Sequence, residues 1–270
     1  MQFSPAPNAP QALAADCFLR PDWPVPAQVR ALCTTRQGGV SKPPWDSLNL
    51  GAWVGDAPSD VAHNVGVLTA TLGAQPVFLR QVHGWALQEI DAQTGPHPQA
   101  DGSFTGQTGL ACTVAAADCL PILLCHLRGG RATQVGALHA GWRGLAGQGG
   151  HGVVEAFFAS NAADGRPAGQ WLAWLGPCIG PQVFEVGPEV RAAFIDAAAQ
   201  AQSAFESAPG GKYLAHLPAL ARQRLAACGV TQIYGNDGTP PWCTVGNPLR
   251  FFSYRRQRLT GRQVAAIALL

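Results

Sequence analysis

Three side chains of this 270-residue chain are of the types that hold a metal ion and keep it open to a substrate: His83, Cys119 and His139. Zinc takes neutral imidazole and thiolate readily, and a catalytic zinc site uses three protein ligands while leaving a fourth position for water. A single ion of this kind, zinc by preference, serves hydrolytic or phosphorolytic chemistry on a small polar substrate. Each of the three residues stands at the tip of an apolar, β-like run. Pro76–Val82 leads into His83-Gly84, Leu110–Ala116 into Asp118-Cys119, and Gln134–Leu138 into His139. A sheet gathers such tips at one edge, where α/β proteins commonly bind ligands. One strand-end histidine alone is better explained as a capping or satisfied polar residue. The coincidence of three tips carries the reading.

The elements that must position these tips alternate irregularly. A strand is expected at Val29–Thr34, followed by a long ordered loop over residues 34–51, the kind of segment that often carries function. Val61, Val65 and Leu68 recur at helical spacing within a helix over Asp60–Leu72. After Gly144 a helix is expected to about Ser160, then a strand at Gln170–Leu175 that ends in Gly-Pro-Cys-Ile-Gly. Helices over Glu189–Phe205 and Leu217–Cys228, a strand at Gln232–Gly235, and one or two strands within Phe251–Leu270 complete the pattern. No tandem repeat is visible, and the order implies an α/β protein with a mixed sheet or two sheets.

Composition narrows the partners. Forty-seven per cent hydrophobic residues supply a substantial core, and 18 Lys plus Arg against 16 Asp plus Glu leave a net charge of +2. That balance gives no electrostatic grip on nucleic acid or anionic lipid, which leaves a small molecule as the expected partner. The proline-rich opening contains no continuous apolar run of the signal-peptide type, and no later stretch reads as membrane-spanning, so a cytoplasmic location is expected. Eight cysteines without a C-x-x-C pair argue against a disulfide scaffold and against a zinc ribbon. Cys125-His126 resembles half of a copper-oxidase motif, yet it sits inside an apolar run and is expected in the core. The chain has seven histidines and no His-x-His, too few for a multicopper site.

Longer stretches carry a family resemblance: LRQVHG (79–84), ADG (100–102), ADCLPILL (117–124), ALHAGWRG (137–144), GPCIGPQVFEVG (176–187), FFSYRR (251–256) and TGRQ (260–263). In this order they closely resemble the YfiH/YlmD family, once labelled polyphenol oxidase or laccase-like and later understood as purine nucleoside phosphorylases with adenosine deaminase activity. The resemblance runs from about Thr34 to the C-terminus. It implies that His83, Cys119 and His139 are both metal ligands and catalytic residues, with zinc as cofactor and copper as an adventitious substitute. The expected fold is then a layered α/β/β/α arrangement of mixed β-sheets flanked by helices. A single compact catalytic domain would span residues 29–270, after a Pro/Ala-rich segment over residues 1–28.

Phosphorolysis needs cations or backbone N–H groups around phosphate. Arg36, Arg143 and Arg255 lie in family motifs where they are candidates for that role, each with a surface ion pair as the alternative. Arg143 ranks first because it is nearest in sequence to a ligand, in a GWRG turn before a helix. Asn49 is a candidate for base or ribose, or for tying down the long loop; Cys178 is a candidate pocket residue, or a small buried one. Asp118, Asp101 and Glu185 are candidate proton carriers or orienting groups, with turn capping the preferred reading for Asp101. The expected substrates are a nucleoside and phosphate, with adenosine, inosine and methylthioadenosine unranked. Two other chemistries compete: a copper-dependent phenol oxidase, and a metal-free cysteine hydrolase in which a histidine activates Cys119.

Overall fold

A computed structural model describes residues 11–163 and 169–270. Five strands form one sheet in the order β1 (Phe18–Leu19), β2 (Val29–Thr34), β14 (Gln263–Leu269), β6 (Leu110–Ala116) and β3 (Gln75–Val77). Six form a second: β13 (Gln232–Gly235), β9 (Gln170–Leu175), β7 (Leu120–Arg128), β8 (Arg131–Ala140), β5 (Gly102–Thr105) and β4 (Leu87–Glu89). A small third sheet orders β10 (Glu185–Val186), β12 (Lys212–Ala215) and β11 (Phe205–Ala208). The helices are α1 (Pro58–Leu72), α2 (Trp142–Ala146), α3 (Val153–Ala163), α4 (Pro188–Ile195) and α5 (Leu217–Ala227).

Side-chain alternation along the strands builds the layers. In β14, Val264, Ala266 and Ala268 pack with Leu68 and Leu72 of α1, while Ala265, Ile267 and Leu269 pack with Leu123 and Cys125 of β7. Ile122 and Leu124, on the opposite face of β7, join Phe157 of α3 and Leu220 of α5. The two large sheets therefore lie face to face with helices outside both, and the expected α/β/β/α arrangement is the observed one. No helix among the described residues is long and apolar enough to cross a membrane.

Six expected elements keep their bounds to within two residues: β2, β6, β9, β13, α1 and α5. Others change for identifiable reasons. The run Pro76–Val82 is a strand only as far as Val77, because the Gln81 carboxamide takes over the ladder: its Nε2 donates to the Ala115 carbonyl at 2.9 Å and its Oε1 accepts from the Ala115 N–H at 2.8 Å. The helix expected after Gly144 is two helices. Gly147 turns the chain at φ 63°, where a Cβ would stand 2.0 Å from the His151 carbonyl oxygen. Within Glu189–Phe205 the α-helix stops at Ile195, a 3₁₀ turn covers Ala199–Ala204, and Phe205 opens the β11–β12 hairpin around Pro209-Gly210-Gly211. Within Phe251–Leu270 only β14 is a strand, and the N-terminal segment contributes the short edge strand β1.

Candidate functional site

The three tips meet, although only loosely as strand ends. His139 lies inside β8, Cys119 occupies the turn between β6 and β7, and His83 sits in the loop after β3 with φ 62°. The ligand atoms of the three all lie within 4.8 Å of one another. The imidazoles of His83 and His139 meet edge to face, with ring centroids 4.9 Å apart. Two glycines permit the closeness. A Cβ on Gly141 would come within 2.9 Å of Cys119 Sγ and 3.2 Å of His83 Cδ2, and one on Gly144 would strike the Gly84 carbonyl oxygen at 2.5 Å.

Asp101 organises two of the three ligands at once. Fully buried just before β5, its carboxylate accepts the N–H groups of Val82 (3.2 Å), His83 (2.9 Å) and Gly84 (2.7 Å), which fixes the left-handed turn at His83. The same carboxylate lies 2.9 Å from His139 Nδ1, leaving Nε2 directed at the shared site. Turn capping, expected from sequence, is thus half of its role; orienting the His139 ring is the other. On the far side Asp118, at φ 109°, accepts from Thr244 Oγ1 and from the Arg255 N–H, both at 2.6 Å, and so fixes the turn that presents Cys119. Positive φ at two non-glycine residues beside the cluster is backbone strain concentrated at the site.

The electrostatics follow the geometry. Burial pushes the Cys119 thiol up, but His139 and then His83 outweigh it and bring the pKa down to about 6. Burial pushes His139 down, yet Cys119 and Asp101 raise it above the ordinary histidine value. Burial also raises the Asp118 carboxyl, against the hydrogen bonds from Thr244 and Arg255. Tetrahedral zinc, with Zn–N of about 2.0–2.1 Å and Zn–S of about 2.3 Å, needs donors about 3.3–3.7 Å apart, inside the observed limit. The soft and borderline donor set and the carboxylate behind His139 both fit that ion.

The cluster opens into a cavity of about 680 Å³, within the ordinary range for small-molecule sites. Of the residues expected around substrate, Arg143 and Arg255 line it and Arg36, Asn49 and Cys178 do not. Arg36 pairs with Asp46 at 3.0 Å and lies over the Phe252 ring, satisfying the surface ion-pair alternative. Asn49 is fully buried and ties the loop through Gly51, Asp56 and the Arg262 N–H. Cys178 is buried, with Asn236 donating to its sulfur. Glu185 faces solvent in an ion pair with Lys212, and Cys125 and His126 are core residues, as expected for them. Sequence reasoning passed over Arg258, Arg262, Tyr254, Trp53 and Trp142, which all line the cavity. Tyr254 and Arg262 lie within FFSYRR and TGRQ, and those motifs were their available signal.

Residues 30–270 match the family described as multi-copper polyphenol oxidoreductase laccase. A Pseudomonas aeruginosa protein named purine nucleoside phosphorylase is 48% identical over 255 residues, covering 94% of this chain and 99% of its own length. The Escherichia coli purine nucleoside phosphorylase YfiH is 47% identical over 255 residues, covering 93% and 98% respectively. Among solved structures, a Neisseria meningitidis protein superposes with a TM-score of 0.83 at 43% identity, covering 94% of this chain and 99% of its own. YlmD from Geobacillus stearothermophilus gives a TM-score of 0.81 at 29% identity, covering 97% and 99%. With nearly full-length matches in sequence and in fold, the chain belongs to the YfiH family, the family described as multi-copper polyphenol oxidoreductase laccase.

Proposed function

We propose that this chain is a zinc-dependent purine nucleoside phosphorylase with adenosine deaminase activity, acting in the cytoplasm. One observation carries the reading: a His/Cys/His cluster lines a cavity together with four arginines and one aspartate. A metal donor set beside an excess of cations suits a polar organic substrate and an anionic co-substrate together. The names of the Pseudomonas aeruginosa and Escherichia coli relatives support it.

In this reading His83, Cys119 and His139 hold the metal, and Asp101 keeps His139 in the tautomer that offers Nε2. When bound, the metal supplies Lewis acidity and an activated water, which deamination at C6 of adenine requires. Phosphorolysis forms a bond from a phosphate oxygen to ribose C1′ as the C1′–N bond breaks, and the electron pair leaves with the base, which takes up a proton. The arginine-bearing wall binds phosphate and offsets its charge. Trp53 and Trp142 offer aromatic faces for the base. Asp118 has an acceptor role on both oxygens, which favours positioning of the Cys119 turn over proton carriage.

The family description points to copper, but seven histidines without a His-x-His ladder give no multicopper set. Copper remains an adventitious occupant of the same three ligands. A second reading has one observation in its favour: Asp101, His139 and Cys119 are also arranged as a Cys-His-Asp triad with a lowered thiol pKa, the requirement for a metal-free cysteine hydrolase.

Purified protein incubated with a nucleoside panel, with and without phosphate and with products resolved by mass, tests the proposal. Expected products are free base and ribose 1-phosphate only when phosphate is present, and inosine from adenosine in either case. Turnover that survives chelation would favour the cysteine hydrolase. No turnover of any nucleoside by zinc-loaded protein would end the nucleoside reading.

A further inference from the structure

The four cavity arginines are not equivalent. Arg255 is exposed, with its guanidinium turned toward the carbonyls of Val183 (3.5 Å) and Glu185 (3.4 Å) and over the Phe184 ring. Arg143 is exposed, its guanidinium carbon 4.4 Å from the Trp142 ring centre, as a solvated rim cation. Arg262 differs from both. Its Nη1 donates to the carbonyls of Thr260 and Gly261 at 3.0 Å each, leaving the Nε and Nη2 hydrogens uncommitted. Among the described residues no carboxylate forms an ion pair with it; burial lowers its pKa, against the charges of Cys119 and Asp118.

The chain invests in holding this side chain. Asn49 Oδ1 accepts the Arg262 N–H at 2.9 Å, and a Cβ on Gly51 would lie 2.8 Å from Arg262 Cγ, so the loop over residues 49–51 is shaped around it. Beside it, Tyr254 is a shared platform. The guanidinium carbons of Arg258 and Arg262 stand 5.0 and 5.9 Å from its ring centre, and Arg258 Nη1 donates to the Tyr254 hydroxyl at 3.2 Å. Arg258 is exposed like Arg143, but it is tied to the same tyrosine as Arg262 and likewise has no carboxylate partner among the described residues. Partial burial of Arg262 without a direct ion-pair partner is costly, and an anionic ligand offsets that cost. A fixed guanidinium edge also matches two oxygens of a tetrahedral oxyanion, which a solvated rim cation gains little by binding.

We propose that Arg262, with Arg258 across Tyr254, forms the oxyanion subsite of this cavity and takes inorganic phosphate, while Arg143 stays peripheral to it. The proposal rests on the nucleoside reading for its place in a reaction, but the subsite is testable without turnover. Calorimetric titration of zinc-loaded protein with inorganic phosphate is the measurement, on Arg262→Gln, Arg262→Lys, Arg258→Gln and Arg143→Gln alongside the parent chain.

Arg262→Gln is expected to weaken phosphate binding by about tenfold or more, with zinc content retained. Arg262→Lys, which keeps the charge and loses the fork, should lie between it and the parent. Arg258→Gln should lose about threefold and Arg143→Gln less than about twofold. Unchanged phosphate affinity in both Arg262 variants, or a loss in Arg143→Gln equal to that in Arg262→Gln, overturns the subsite; the Lys variant keeps the test open if the Gln variant misfolds. The two failures are distinct: phosphate binding that depends on Arg262 without phosphate-dependent turnover of any nucleoside defeats the phosphorylase reading and leaves the subsite standing.

Discussion

Cys119 and Cys125 are six residues apart, each beside a second polar residue, and they occupy opposite chemical worlds. Cys125 is in mid-strand in β7 between the two large sheets, where burial with no compensating charge pushes its thiol up to about 12. Cys119 is in the turn just before β7, where two imidazoles reverse the effect of burial and bring it down to about 6. His126 and His139 contrast in the same way. His126 Nδ1 meets the Thr133 hydroxyl and its ring packs near Trp171, whereas His139 is held by a buried carboxylate and aimed at a thiol. Residue type decides less than which charges converge on it.

Ligand removal is the strongest way to break this contrast. Cys119→Ala and His139→Ala are expected to lose bound zinc and reduce nucleoside turnover to background, with most of the melting temperature retained. Neither truncation opens a large apolar cavity, and a chain of this size keeps its own core without the metal. Zinc content, melting curves and turnover measured in parallel decide it; unfolding of Cys119→Ala would mean a structural centre.

Asp101→Asn should come next, with about 10–100-fold lower zinc affinity or activity, because the amide no longer stabilises His139 as the carboxylate does. A competition titration with a chelator reads the affinity. Equal zinc affinity in the variant and the parent would reduce Asp101 to a turn cap.

A smaller effect sharpens the comparison without mutation. In metal-stripped protein at pH 7, a thiol of pKa about 6 is about 90% thiolate, whereas one at about 12 is ionised in about one molecule in 10⁵. Iodoacetamide should label Cys119 ahead of Cys33, Cys112 and Cys125, increasingly as pH rises through about 6, and zinc should protect it. Peptide mapping that finds Cys125 modified first would reverse the assignment.

The smallest expected effect is in the core. Cys125→Ala should cost on the order of 1 kcal/mol in denaturant unfolding and spare turnover. A large loss of turnover with little loss of stability would move chemistry into the inter-sheet layer.

Much of this was legible in the residues themselves. Short apolar runs marked the bounds of β2, β6, β9 and β13, because a strand covered on both faces is locally visible as a continuous apolar stretch. The ligand types and the motifs around them pointed to His83, Cys119 and His139 before any coordinates. Elements that depend on distant partners were not legible. The end of β3 depends on Gln81 reaching Ala115, and β10–β12 form a sheet only by pairing with one another across intervening helices. The substrate wall was the least legible: Arg36, Asn49 and Arg262 all lie in motif-rich segments, yet Arg36 spends its charge on Asp46, Asn49 spends its amide on the loop, and Arg262 is left facing the cavity. Sequence determined which groups were available for chemistry and the local apolar runs that form the strands. Tertiary structure alone decided which of those groups were already partnered, because hydrogen bonding and charge compensation are settled by residues far apart in the chain.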